Sequence, residues 1–159
     1  MAKDILSGKG ASCWGGRWNP PGYPTLYGST TDNTALEECK AGDRYYGIVP
    51  RGPRLLVAIE ARLTRVLDLA NSDNRRALNL TFTDLAAEDW RKLQSAGRES
   101  LTQALGRAVA ETGGSGLLAR SAAVRGGVNV VVFPGVRRAD RMVVVEGDKL
   151  DRLGVRKKV

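Results

Sequence analysis

The chain has 159 residues, of which 42% are hydrophobic and 26% charged, a size and composition suited to one globular domain with a buried core. It contains no histidine and only 2 cysteines, which excludes a Ser-His-Asp triad, a histidine-containing metal site and a thiolate zinc cluster. The 25 Lys and Arg residues outnumber the 17 Asp and Glu residues, and the net charge of +8 favours anionic partners such as nucleic acid, phosphorylated metabolites or an acidic protein.

The sequence carries no apolar run near the roughly 20 residues that a membrane span needs. Its first residues, MAKDILSGKG, lack the apolar core of a signal peptide. We therefore predict a cytoplasmic protein without membrane contact, in which Cys13 and Cys39 are free thiols rather than a disulfide.

No repeat or low-complexity linker divides the sequence, so we predict one domain over residues 1–159 with a basic tail at 151–159. The simpler interpretation of the basic tail is a solvated face. No RNA- or DNA-binding motif accompanies the charge, so direct nucleic-acid binding is not favoured. A non-enzymatic basic module that binds nucleic acid or an acidic partner is kept as the alternative function.

The N-terminal half is predicted to contain a loop, a helix and two strand segments. LSGKGASCWGGRWNPPGYP is rich in glycine and proline and predicts a loop. TLYGS predicts a short strand, and the helix that follows at about residues 31–41 can be capped by Thr30, Thr31 or Asp32. Residues 53–63 alternate as in a strand, and RVLDL is predicted to continue that strand after a kink.

The C-terminal half is predicted to contain two helices and three strands. TFTDLAAEDWRKLQSAG predicts a helix that begins at a capping Thr83 or Asp84, with Leu85, Trp90 and Leu93 as apolar anchors. ESLTQALGRAVAETGG predicts the clearest helix, which the glycines at 113 and 114 end. Its apolar face is expected to hold Leu101, Leu105, Ala108 and Val109. GLLAR, VNVVVF and RMVVVEG predict strands of a buried sheet.

These elements predict a mixed α+β fold. Their order is too irregular for a Rossmann pattern. The sequence contains neither Gly-x-Gly-x-x-Gly nor a phosphate-loop motif, so the ordinary dinucleotide and nucleotide-triphosphate folds are not supported.

The stretch GGRWNPPGYPTLYGS, residues 15–29, holds an arginine in a rigid and apolar setting. Glycines permit close backbone approach and prolines restrict the loop, so the Arg17 guanidinium has little entropy left to lose on binding. A forked, permanently charged group held in this way suits a phosphate or a carboxylate. The alternative is a structural salt bridge from Arg17 to Glu37 or Glu38, with the guanidinium stacked on Trp18.

Three further residues are candidates for the same site. Tyr27 ends a strand and either forms a pocket wall or belongs to the core. Glu38 lies on the following helix and either faces solvent or points into the pocket that Arg17 borders. Ser121 follows a strand and precedes a glycine loop, where hydroxyls and backbone amides often bind anions. None of the three is decisive by itself.

Four segments in order resemble the RES-domain family, which is named for its Arg, Glu and Ser. They are GGRWNPPG, LYGS, the helix with ALEE, and the late serine before GGVNVVVF. The resemblance runs from about Leu6 to Leu150. Many members carry an extra strand and a basic residue ahead of this loop, whereas five residues precede Leu6 here, so that edge of the sheet is expected to be missing or trimmed.

The resemblance implies a fold similar to that of ADP-ribosyltransferase toxins, with a split β-core and surrounding helices. Family members consume NAD+ by breaking the bond between nicotinamide and ribose, and we expect no metal cofactor. Many are toxins of bacterial toxin–antitoxin pairs. It therefore implies a toxin whose antitoxin, acidic or carrying a DNA-binding domain, blocks the pocket at Arg17. The acceptor of ADP-ribose stays open between a protein side chain, water and phosphate.

The resemblance also assigns site residues. The family's Arg falls on Arg17, its pocket Tyr on Tyr27, its Glu on Glu38 with Glu37 as the competitor, and its Ser on Ser121. Arg17 is expected to clamp the pyrophosphate, Tyr27 to orient the nicotinamide ribose and Glu38 to stabilise the developing cation. Ser121 is expected to bond a phosphate or ribose oxygen. Trp18 and Ser29 complete the residues expected to bind NAD+.

Overall fold

The computed structural model describes residues 2–149, so the predicted basic tail at 151–159 lies outside the described residues. The described part of the chain forms seven helices and six strands. The helices are α1 (Ala2–Ile5), α2 (Lys9–Trp14), α3 (Asp32–Tyr46), α4 (Ser72–Ala77), α5 (Phe82–Ala87), α6 (Trp90–Ser95) and α7 (Leu101–Glu111). The strands are β1 (Leu26–Ser29), β2 (Ile59–Arg62), β3 (Val66–Asp68), β4 (Gly116–Arg120), β5 (Val128–Val132) and β6 (Arg141–Val144).

The strands form two separate sheets, which confirms the predicted α+β class with a split β-core. The larger sheet has the order β1-β5-β4-β3, in which only the β3–β4 pair is parallel. The smaller sheet pairs β2 with β6. The sequence predicted that Val66–Asp68 continues the strand before it, and this prediction was wrong. These residues form β3, which pairs with β4 in the larger sheet.

One face of the larger sheet carries both the core and the polar side chains of a cleft. Leu117 of β4 pairs with Val131 of β5, and both are fully buried. Two residues along the same face, Ala119 pairs with Asn129, which in turn pairs with Ser29 of β1. Directly paired residues share a face, so this face changes from apolar to polar toward the ends of β4 and β5.

Helix α7 covers the apolar part of this face. It begins at a capping box, in which Ser100 and Gln103 exchange side-chain and backbone hydrogen bonds. Its partly buried Leu101, Leu105 and Val109 pack against the core. The buried core residues are Trp18, Leu69, Leu85, Leu117, Ala119, Val131 and Phe133.

The predicted apolar face of α7 was wrong in one member, because Ala108 is exposed. Thr102, Gln103 and Gly106 are buried instead. The buried face is thus broad and centred between Thr102 and Gly106, and Ala108 lies beyond its edge. The polar residues are buried because this side of the helix contacts the segment that carries Arg17.

Three other predicted elements differ in the structure. Residues 9–14 form α2 within the predicted loop. The glycines at 8 and 15 adopt positive φ and mark the two ends of this helix. The helix predicted from Thr83 or Asp84 starts at the cap Thr81. It is two helices, because the Asp89 carboxylate accepts from the backbone amides of residues 91 and 92 and begins α6.

The strand predictions at the smaller sheet were too broad. Of the predicted residues 53–63, only Ile59–Arg62 form a strand. The RMVVVEG strand was expected to be buried, yet Val143 and Val145 are exposed. A two-stranded sheet leaves one face without a packing layer, so β-branched composition alone does not guarantee burial.

Candidate active site

The segment that presents Arg17 is held by hydrogen bonds to its own backbone. The amide of Gly16 donates to the carbonyl of Asn19 at 2.9 Å, which closes the turn around Arg17. The Asn19 side chain is fully buried, and its Nδ2 donates to the carbonyls of Ala11, Pro20 and Tyr23 at 2.9, 3.0 and 3.2 Å. A single asparagine thus ties helix α2 and the proline segment to the arginine turn.

Helix α7 supports the same turn from the other side. Gln103 Nε2 donates to the Gly16 carbonyl at 3.1 Å. Gly106 lies directly against the backbone of Trp18, since a Cβ added to Gly106 would stand 1.7 Å from the Trp18 carbonyl oxygen. The rigidity that the sequence attributed to prolines therefore also depends on a glycine and a glutamine 87 or more residues further along the chain.

Tyr27 joins the turn through its hydroxyl. That hydroxyl donates to Asn19 Oδ1 at 2.7 Å and accepts from the Trp18 amide at 2.9 Å. Burial of the hydroxyl raises the pKa of Tyr27. The residue as a whole is 41% exposed, since its ring borders the cleft while its oxygen points inward. Only the ring is available to a ligand.

Glu38 is oriented by side chains from the ends of the sheet. Its Oε1 accepts from Ser121 Oγ at 2.6 Å and from Asn129 Nδ2 at 2.7 Å. Asn129 Oδ1 accepts from Ser29 Oγ at 2.9 Å. Among residues 2–149, no hydrogen bond to Glu38 Oε2 is found. One carboxylate oxygen is thus saturated and the other is open to a ligand.

Ser121 is itself fixed at the end of β4. Its Oγ accepts from the amides of Ala123 and Val124 at 3.1 and 3.0 Å while it donates to Glu38. The serine was expected to bond a phosphate or ribose oxygen, but its donor hydrogen is directed to the carboxylate. Its contact with a substrate stays a prediction, whereas its contact with Glu38 is direct.

The two neighbouring glutamates have different surroundings. Glu37 Oε1 accepts from Lys40 at 2.7 Å, and this hydrogen bond lowers the pKa of Glu37. Glu38 lines the cleft and Glu37 does not. Of the two glutamates, only Glu38 therefore faces the cleft, and its catalytic role stays a prediction.

A cleft of about 860 Å³ brings most of the predicted residues together. Those that line it are Arg17, Trp18, Tyr27, Ser29 and Glu38. Ser121 reaches the cleft through Glu38. Trp18 is only 5% exposed and packs in the core, so little of it remains for a ligand. Its predicted role in binding stays a prediction.

Arg17 does not form the structural salt bridge that was the alternative. Within the described residues no carboxylate lies within 4 Å of its guanidinium, and Nη1 donates to the Leu85 carbonyl at 3.2 Å. Burial and the nearby Arg91 lower the pKa of Arg17, whereas Glu38 opposes them. A guanidinium stays charged under these conditions, so the cleft holds a partly desolvated cation that lacks an ion-pair partner among residues 2–149.

Sequence reasoning missed two residues of the cleft. Asn129 stands as the one polar residue in VNVVVF, and an amide inside a buried apolar strand signals a specific partner. Arg91 follows Trp90, and its guanidinium carbon lies 4.5 Å from that ring centroid and 4.3 Å from that of Tyr45. Nothing in the local pattern around Arg91 indicated these contacts.

Two features are absent from the described part of the chain. Across residues 2–149, no group of three or more His, Cys, Asp or Glu side chains is arranged to hold a metal ion. No helix in that part of the chain is long and apolar enough to span a bilayer.

The family model of the RES domain matches residues 2–152 of the sequence, and the chain therefore belongs to the RES-domain family. The proteins named NAD(+) phosphorylase MbcT from Mycobacterium tuberculosis and Mycobacterium bovis are 30% identical to it over 122 residues. That match covers 73% of this chain and 66% of theirs, so the chain matches just under two thirds of the length of these relatives.

The fold also resembles a solved structure, described as the crystal structure of the M. tuberculosis MbcT–MbcA toxin–antitoxin complex. The superposition has a TM-score of 0.61 and covers 94% of this chain and 82% of the other. At 24% identity, this likeness establishes the fold.

Proposed function

We propose that this protein cleaves the bond between nicotinamide and ribose in NAD+ and transfers the ADP-ribosyl group to inorganic phosphate. The observation that carries the proposal is the Glu38 carboxylate, which two donors hold by one oxygen in the same cleft as the Arg17 guanidinium. NAD+ is an anion at its diphosphate and becomes cationic at its ribose during cleavage. The cleft offers one group of each matching charge.

Glu38 would stabilise the ribosyl cation. As the C–N bond breaks, its electron pair neutralises the pyridinium ring, so nicotinamide leaves without needing a proton from an acid. The ribose carbon gains oxocarbenium character, which a carboxylate stabilises electrostatically. Ser121 and Asn129 fix Oε1, and Oε2, which has no hydrogen-bond partner among the described residues, would face the ribose.

Arg17 would bind the diphosphate. Its guanidinium is positioned by the turn at residues 16–19 and stays charged. Because the turn is already ordered in the folded protein, little conformational entropy is lost when the substrate binds. The ring of Tyr27, whose hydroxyl is already used, would form the wall against the nicotinamide ribose.

Phosphate is proposed as the acceptor because the curated relatives are named as NAD+ phosphorylases. A phosphate oxygen would form the new bond to the ribose carbon and yield ADP-ribose 1″-phosphate with free nicotinamide. Water or a protein side chain as acceptor would give ADP-ribose or a modified protein. The first bond-breaking step is common to all three.

We further propose that the protein acts as a toxin restrained by an antitoxin that covers this cleft. The family resemblance and the toxin–antitoxin structure that shares its fold support this role. Loss of NAD+ would arrest growth, and the cytoplasm is where the enzyme would meet its substrate.

The test is incubation of the purified protein with NAD+ in phosphate buffer and in phosphate-free buffer. Nicotinamide and ADP-ribose products are measured by liquid chromatography with mass spectrometry. We expect ADP-ribose 1″-phosphate only in the presence of phosphate. Glu38→Gln should lower the rate at least about 100-fold, since it removes the charge that stabilises the transition state.

Glu37→Gln is the matched control, because this neighbouring glutamate pairs with Lys40 outside the cleft. Its rate should stay within about threefold of the wild-type rate, as for a surface substitution. Free ADP-ribose in both buffers would identify water, rather than phosphate, as the acceptor. A labelled protein band would identify a protein side chain as the acceptor. No NAD+ consumption by the wild-type protein would refute the proposed function.

A further inference from the structure

A second arginine with three aromatic neighbours lies where the cleft meets a second groove. Arg91, on α6, has its guanidinium carbon 4.3 and 5.2 Å from the ring centroids of Tyr45 and Tyr46, and 4.5 Å from that of Trp90. Its Nε donates to the Tyr46 hydroxyl at 2.9 Å. These contacts orient the plane of the guanidinium without neutralising its charge.

The free edge of Arg91 is open to a ligand. Within residues 2–149, no hydrogen-bond or ion-pair partner of its Nη1 or Nη2 is found. Arg91 lines the cleft that contains Arg17, and its charge is among the causes that lower the pKa of Arg17. Two guanidinium groups that repel each other across a cleft favour an anion between them, and a diphosphate has a negative charge for each.

The aromatic rings continue past Arg91 into a second groove of about 560 Å³. Trp14, Tyr45, Tyr46, Trp90 and Arg91 line this groove, and all but Trp14 also line the first cleft. Trp14 is 80% exposed, and its carbonyl accepts from Gln94 Nε2 at 2.9 Å, which anchors its backbone to α6. An exposed indole and two tyrosines beside a cation form a surface on which a purine base can stack.

We propose that this groove binds the adenosine diphosphate half of the dinucleotide, with Arg91 contacting the diphosphate opposite Arg17 and the rings of Trp14 and Tyr45 stacking on adenine. The inference rests on the proposed function, since NAD+ supplies the ligand. It assigns binding residues in a groove that Glu38 does not line. Arg91 contributes to affinity, while the bond-breaking step takes place at Glu38.

The test measures affinity for ADP and for adenosine by isothermal titration calorimetry, using Glu38→Gln as the parent protein so that expression does not depend on tolerance of the active enzyme. Arg91→Gln should weaken ADP about 10- to 100-fold, the loss expected when charged hydrogen bonds are removed. Adenosine lacks the phosphates, so its affinity should change less than about threefold. Trp14→Ala should weaken both ligands alike.

Arg62→Gln is the charge-matched control, because this exposed arginine lies on β2 and lines neither the cleft nor the second groove. Its ADP affinity should equal that of the parent, which separates a local contact from the loss of one net charge. A merely structural role for Arg91 would weaken ADP and adenosine to the same degree, and that result would overturn the inference.

The inference would also be overturned if the parent failed to bind ADP or if Arg91→Gln bound it as tightly. The NAD+ assay on the protein with Glu38 intact keeps the two proposals apart. NAD+ cleavage with unchanged ADP affinity in Arg91→Gln refutes this site alone. ADP binding that depends on Arg91, without NAD+ cleavage, supports this site and refutes the proposed reaction.

Discussion

Replacing Gly106 by alanine tests whether helix α7 positions the Arg17 turn. The added Cβ would lie 1.7 Å from the Trp18 carbonyl oxygen and 2.7 Å from its carbonyl carbon. Both atoms belong to the backbone, so no side-chain rotation can relieve the overlap. To reach the 3.0 Å below which real Cβ contacts are essentially never seen, the turn or the helix must move by about 1.3 Å.

The expected stability change is the difference between two opposing effects. Overpacking a well-packed contact costs about 1–3 kcal/mol and sometimes more. Alanine is better than glycine in a helix interior by about 1 kcal/mol, which offsets part of that cost. For a backbone overlap this severe we expect the upper part of the range, a net loss of about 2 kcal/mol and a fall in Tm of about 4–8 °C.

Gly42→Ala is the matched control on α3, since nothing lies within 4 Å of a Cβ added there. It should raise stability by about 0.5–1 kcal/mol through helix propensity alone. Thermal unfolding by circular dichroism measures both variants in the Glu38→Gln background. With Glu38 intact, Gly106→Ala should also lower kcat/KM about 100-fold, because a displacement of about 1 Å at a binding group costs that much. Equal stability gains in the two variants would refute the contact between α7 and the turn.

Three further predictions follow from the hydrogen bonds of the site. Asn129→Asp places a carboxylate where Nδ2 now donates to Glu38, so the acidic limb of the NAD+ cleavage rate should move to higher pH, and an unchanged pH profile would contradict the contact. Tyr27→Phe leaves the Trp18 amide unpaired and should cost about 1–3 kcal/mol at pH 7. Burial raises the pKa of Tyr27, so the folded chain keeps a proton that the unfolded chain loses above about pH 10. The free energy of unfolding of the wild-type protein should therefore fall as pH rises above about 10, and denaturant titrations of Tyr27→Phe should show a shallower fall. Gln103→Leu removes the bond to the Gly16 carbonyl and should raise KM for NAD+ more than it lowers kcat, as steady-state kinetics would reveal.

The sequence was informative where structure is local and where the family motif reaches. Thr31 was among the three proposed caps of α3, and its side chain accepts from the Thr34 amide at 3.2 Å. The prediction that Arg17, Tyr27 and Glu38 share one cleft came from the family resemblance and not from composition. A glutamate on a helix beside small residues is equally typical of a protein surface.

The sequence was less informative where a contact joins distant segments. Glu38 and Asn129 are 91 residues apart, and Gln103 and Gly16 are 87 apart. No local pattern encodes such pairs. The same limit explains why β3 was predicted to continue the preceding strand: its pairing with β4 depends on a segment some 50 residues later. A polar residue such as Gln103 is not expected in the core from sequence alone. Its burial is explained by the hydrogen bond from its Nε2 to the Gly16 carbonyl, which only the structure reveals.

The two halves of the site depend on separate supports. Asn19, Gln103 and Gly106 hold the turn that carries Arg17, whereas Asn129 and Ser121 hold Glu38 from the ends of the sheet. Among the described residues, these two sets share no hydrogen-bond partner. A change in the first set should therefore act mainly on substrate affinity, and a change in the second on the bond-breaking step. This separation follows from the fold, because the packing of α7 supports the Arg17 guanidinium, whereas α3 and the ends of β4 and β5 support the Glu38 carboxylate.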